Sequence, residues 1–134
     1  FTGHSLGGAM ATVMSARCCQ EGTLVDPTEL HTFGSPRVGW RGYIKTIHCD
    51  HYRWVNNNDI VTRVPLWVMG YKHHGTKMYI NSDGHVTNPS LLQRVSDKIV
   101  GLIKGIVKAK VDFFSDHSME EYVRHIKNYR DSNL

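Results

Sequence analysis

The sequence predicts an α/β fold, a parallel sheet with crossover helices, and three observations carry that expectation. Short runs rich in β-formers alternate with helical segments, giving strand, helix, strand, helix, strand over the first 55 residues. A glycine-flanked turn, Gly3-His4-Ser5-Leu6-Gly7 with Gly8 behind it, joins the end of the first strand directly to the first helix. Two clusters of turn residues, at 34–39 and 56–59, directly follow the next two strands, where the ligand-facing loops of parallel sheets gather.

The first turn holds Ser5 in a strained conformation with its hydroxyl clear of the sheet, and a Cβ at Gly3 or Gly7 is expected to collide there. A phosphate cradle would end in Gly-Lys-Ser/Thr, which this stretch lacks. From Leu6 the apolar residues Leu6, Met10, Val13, Met14 and Ala16 or Cys18 fall at helical spacing, with Gly8 and Ala9 small enough for close packing on a sheet. The N–H of Leu6, at the start of that helix, faces whatever Ser5 attacks.

Glu21-Gly22 ends the helix and Asp26-Pro27 marks a loop before a strand at 30–33. A short helix is expected at 40–47 and a strand at 51–55, so Asp59 lies just past a strand end on the same sheet edge as Ser5. Standing alone, Asp59 would read as a turn former. Residues 60–65 read as an extended stretch closed by Pro65.

Residues 66–81 carry Trp67, Tyr71, His73, His74 and Tyr79, with a strand at 77–80 and a hairpin turn at Asp83-Gly84. His73 and His74 are adjacent and cannot share a metal as an i, i+4 pair on a helix can, so no metal site is expected. Asn88-Pro89 opens a long amphipathic segment whose stripe of Leu91, Leu92, Val95, Ile99, Leu102, Ile103 and Ile106 is expected to pack on the sheet, its basic face solvated; lying on a membrane surface is the alternative. The last helix opens with Ser118 as cap and Glu121 three residues later, and buries Tyr122, Val123, Ile126 and Tyr129. His117 therefore sits on a loop held by that helix start. His125 is placed in mid-helix, in a packing or solvated role.

At 134 residues the chain allows one domain, read as the C-terminal part (1–134) of a larger one because it starts at a strand end. Hydrophobic content of 40% and charged content of 21% are those of a soluble globular chain, with no apolar run near the roughly 18 residues of a membrane span. A net charge of +4 with scattered lysines and arginines gives nucleic acid little to bind. Three cysteines, two of them adjacent, suit free thiols and favour a reducing compartment, with pairing of Cys49 to an upstream residue left open.

A serine hydroxyl needs a base as it attacks, and the resulting imidazolium needs a carboxylate to orient it. Ser5, Asp59 and His117 occur in the chain order Ser, Asp, His of such sites on α/β sheets, with His85 and His74 as competing bases. The blocks Gly3-His4-Ser5-Leu6-Gly7-Gly8, Thr32-Phe33-Gly34-Ser35-Pro36-Arg37-Val38-Gly39, Asn58-Asp59-Ile60-Val61-Thr62-Arg63-Val64-Pro65 and Asp116-His117-Ser118-Met119 before Tyr122 resemble the class 3 lipases, relatives of the fungal triacylglycerol lipases. The resemblance implies a partial α/β-hydrolase fold lacking its N-terminal strands. It also implies Ser5 as nucleophile, Asp59 as acid, His117 as base and the Leu6 N–H as one oxyanion donor. No cofactor is implied, and the implied substrate is an acylglycerol met by transient contact with lipid. Phospholipids, thioesters and acyl transfer are alternatives, as is a noncatalytic binding module. The family's second oxyanion donor and lid lie upstream of the nucleophile strand, so these residues alone are expected to fold poorly and turn over little.

Overall fold

The computed structural model describes residues 1–21, 25–57, 59–81, 83–87 and 116–132. The amphipathic segment expected from Asn88, together with Gly22, Asn58 and Phe113-Phe114, lies outside the described residues.

A five-stranded sheet runs in the order β1 (Thr2–His4), β2 (Glu29–Phe33), β4 (Asp50–Asn56), β6 (Thr76–Ile80), β7 (Val86–Thr87), with β3 (Gly39–Trp40) and β5 (Tyr71–Lys72) forming a separate antiparallel ribbon. The first four strands are mutually parallel, in registers such as Gly3↔Thr32, Phe33↔Trp54 and Val55↔Tyr79. Consequently the ends of β1, β2 and β4 share one rim. In this sheet, among the described residues, β7 alone runs against its neighbour, returning through the tight turn at Asp83-Gly84, where the Asn81 N–H donates to His85 O at 3.0 Å.

The first crossover is α1 (Leu6–Glu21). Its packing differs from the expected one. Leu6, Met10, Val13 and Met14 are exposed, and the buried face is made of Gly8, Ala11, Thr12, Ser15, Ala16 and Cys18. Small residues let the helix approach β1 and β2 closely, a Cβ on Gly8 falling 3.0 Å from Gly3 O, which bulky side chains would prevent. Thr12 and Ser15 satisfy their buried hydroxyls by donating to Gly8 O and Ala11 O one turn back.

The other connections are less helical than expected. The helix expected at 40–47 contracts to α2 (Arg41–Ile44), because Trp40 leaves the sequence for the ribbon with β5. Between β4 and β6 the chain makes only 3-10 turns at Val61–Arg63 and Trp67–Met69. The stretch expected to be extended at 60–65 is thus turned over Val61–Arg63 and ends in a cis Val64–Pro65 peptide.

Last comes α3 (Met119–Asp131), capped by Ser118, whose Oγ accepts the Glu120 N–H at 3.2 Å. Its buried side is narrower than the expected stripe: Tyr122 is fully buried, whereas Val123 and Tyr129 are exposed. Tyr122 reaches across to β4, its hydroxyl accepting the Asn56 N–H at 2.9 Å, and the Asn56 side chain donates to Asp116 O at 3.1 Å. These bonds tie the turn carrying His117 to the end of β4.

Candidate active site

Ser5 sits between β1 and α1 with φ of 55°, in the left-handed region that a residue with a Cβ adopts only under constraint. Its N–H donates to Phe33 O at 2.9 Å, locking the turn to the neighbouring strand. The glycines do not contribute equally. A Cβ on Gly3 would stand 2.3 Å from Gly7 O, and one on Gly8 2.8 Å from Ser35 Cβ, but one on Gly7 meets nothing within 4 Å. The collision expected at Gly7 is therefore absent; Gly3 and Gly8 are the positions where close approach forbids a side chain.

The turn after β2 supplies space for the other two groups. Gly34, at φ of 58°, would place a Cβ 2.6 Å from Asp59 Oδ2 and 3.0 Å from His117 Nδ1. Arg37 anchors the facing loop, donating through Nη1 to Pro65 O at 2.7 Å and to Arg63 O, while its own N–H donates to Val64 O at 2.8 Å. Burial lowers the pKa of that guanidinium from its ordinary value.

Asp59 follows β4 and is fully buried. Its carboxylate accepts from His117 Nδ1, 3.0 Å from each oxygen, from the Tyr122 hydroxyl at 2.7 Å on Oδ2, and from the Val61 N–H at 2.9 Å on Oδ1. Burying a charge is costly unless it is multiply hydrogen-bonded, and these donors meet that demand. The Tyr122 hydroxyl is in turn pushed well above the ordinary tyrosine range, first by burial and then by the Asp59 charge, so it remains a donor. On its other side His117 Nε2 lies 2.8 Å from Ser5 Oγ. With Asp59 on Nδ1, the tautomer bearing its proton there leaves Nε2 free to accept the Ser5 proton. His4, the residue before the serine, places Nε2 2.7 Å from the His117 carbonyl, and its ring lies 4.7 Å from the His117 ring.

Ser5, Asp59 and His117 are thus in one hydrogen-bonded line, although 112 residues separate the first from the last. The Leu6 N–H stands in the first turn of α1, where backbone donors have no intrahelical acceptor. The competing histidines lie elsewhere. His74 precedes β6, at the opposite rim of the sheet, with its ring against His51. His85 is exposed in the β6–β7 turn and bonded to Asn81. His73 and His74 diverge: His73 Nε2 donates to Thr62 O at 2.8 Å. Tyr122, Gly34 and His4 are the contributors that sequence reasoning did not assign. In the sequence Tyr122 stands in the helical stripe and closes the last of the blocks that resemble the family, but nothing there marks its hydroxyl.

This geometry is matched by family similarity. The profile of the family "Lipase (class 3)" matches residues 1–69, half of the chain. The chain belongs to the class 3 lipase family. It is 39% identical over 83 residues to secreted mono- and diacylglycerol lipase 1 of Fusarium solani, an alignment covering 60% of this chain and 24% of that protein. With the lipase of Rhizomucor miehei it shares 35% over 91 residues, 64% of this chain and 25% of that one. The chain thus spans about a quarter of the length of these two relatives. Among solved structures, the Rhizomucor miehei triacylglyceride lipase superposes with a TM-score of 0.61 at 26% identity, over 87% of this chain and 44% of that one. The lipase of Rhizopus microsporus var. chinensis gives 0.53 at 36% identity, over 59% and 29%. A partial α/β-hydrolase fold is therefore the fold of this class 3 lipase chain, as the sequence leads one to expect.

Proposed function

We propose that this chain contributes the catalytic groups of a serine hydrolase that cleaves carboxylic esters, with acylglycerols as the substrate class. The single observation carrying the proposal is the Ser5 Oγ to His117 Nε2 distance of 2.8 Å, with Asp59 on the far side of the same ring. Ser5 attacks the ester carbonyl as His117 takes its proton. The Leu6 N–H helps hold the oxyanion, and Asp59 steadies the imidazolium. His117 then returns the proton to the leaving alcohol. Water, activated by the same imidazole, releases the acid from the acyl-enzyme, and no cofactor enters.

Acylglycerols are chosen because the named relatives include mono- and diacylglycerol and triacylglycerol lipases. Contact with a lipid surface is supported by the exposed apolar group Trp40, Leu66, Trp67, Val68 and Met69, beside the loop that leads from Asp59. We assign residues 1–134 to a single such domain.

The test is release of fatty acid from mono-, di- and triacylglycerols by the full-length protein carrying this chain, beside phospholipid and thioester substrates. Acylglycerol turnover that is lost in Ser5→Ala supports the proposal. Turnover confined to another acyl donor, or unchanged in Ser5→Ala, overturns it.

A further inference from the structure

Away from the rim that holds Ser5, a cleft of about 250 Å³ opens between the end of α1 and the start of β4. Cys19, Asp26, Pro27, Thr28, His48, Cys49 and Asp50 line it. Both of its cysteines are free and only partly buried.

The two thiols face this one cleft from its two sides, Cys19 from the last turn of α1 and Cys49 from the residue before β4. Cys18 is turned elsewhere, buried at 2% exposure. We propose that Cys19 and Cys49 are a redox-active pair that closes to an intrachain disulfide, stapling the last turn of α1 to the entrance of β4.

The reaction needs an oxidant of the hydroperoxide class. The Cys19 thiolate attacks the peroxide oxygen, giving a sulfenic acid and, for hydrogen peroxide, water once the leaving hydroxide takes up a proton. Cys49 then attacks that sulfur, the S–S bond forms and a second water leaves with the Cys49 proton. Two thiols and one peroxide thus give one disulfide and two waters. Burial, followed by the neighbouring Cys19, raises the Cys49 pKa, so that thiol keeps its proton and is not the one that meets the peroxide first. Closure joins residues 30 apart in sequence, so the bond constrains the unfolded chain strongly. It leaves Ser5, Asp59 and His117 untouched, and the inference does not rest on the proposed hydrolase activity.

The experiment treats the full-length protein with a small excess of hydrogen peroxide, digests it without reduction and maps the products by fragment mass spectrometry. The expected product is a peptide linked through Cys19 and Cys49 with Cys18 still alkylatable. Oxidation should raise Tm by several degrees, reversibly with dithiothreitol, and Cys19→Ser and Cys49→Ser should abolish that rise. A link through Cys18, sulfinic acid at single cysteines without a link, or a disulfide-joined dimer would each overturn the proposal.

Discussion

Gly34 shows how finely the rim is fitted. Its hydrogen occupies the space beside Asp59 Oδ2 and His117 Nδ1, at a φ that disfavours a side chain. Gly34→Ala must displace the carboxylate or the ring, and displacements of about 1 Å at such sites cost on the order of 10²-fold in rate. Steady-state kinetics should show kcat falling by about that factor while the protein remains folded; unchanged kcat would mean the contact is slack. Tyr122→Phe removes one donor from a buried carboxylate and an acceptor from the Asn56 N–H. The carboxylate keeps His117 and the Val61 N–H, but leaving the buried Asn56 N–H unsatisfied costs about 1–3 kcal/mol. Denaturant titration should therefore register a loss of at least that order, with a lower kcat, and Tyr122→Phe equal to wild type in both would remove Tyr122 from the account.

Among the elements, α1 was legible as a helix and its orientation was not. Its large apolar residues Leu6, Met10, Val13 and Met14 have the spacing of a buried stripe, yet the sheet takes the face of small residues. Close helix-to-sheet approach outranks hydrophobicity there, and a periodicity count cannot rank the two. Strands β2, β4 and β6 were readable from β-branched and aromatic runs, and the cap of α3 from Ser118. The 3-10 turns after Asp59 were not, because their geometry is set by tertiary bonds, from Arg37 Nη1 to Pro65 O and from His73 Nε2 to Thr62 O. The burial of two histidines carries a pH consequence. Burial depresses both His51 and His73 from the ordinary 6.5 to about 3, so the folded chain keeps them neutral while the unfolded chain binds protons. Their contribution is complete above pH 6.5 and is lost progressively toward about 3. Tm should fall through that window, and fall less steeply in His51→Gln, which takes up no proton; parallel slopes would contradict the assignment.

Across the whole molecule, the parallel order of β1, β2 and β4 is what carries residues far apart in sequence to one rim. That assembly was foreseeable: the chain order Ser, Asp, His and three strand-end turns pointed to Ser5, Asp59 and His117. The supporting groups were not foreseeable, since a glycine beside a carboxylate or a tyrosine beneath it has no signature before the chain is folded. Exposed Trp40 lies in the β3–β5 ribbon, and exposed Leu66, Trp67, Val68 and Met69 at the second 3-10 turn. If they meet lipid, Trp67→Ser should weaken co-sedimentation with phospholipid vesicles several-fold, and equal binding would show that they do not. The claim on which the rest depends is that His117 activates Ser5. Its most direct test is the rate of fluorophosphonate labelling of the full-length protein, with the adduct mapped by mass spectrometry. The account predicts a single adduct on Ser5, absent in Ser5→Ala and slowed by orders of magnitude in His117→Ala. Labelling of Ser5 that proceeds as fast without the imidazole, or an adduct on another residue, would contradict it.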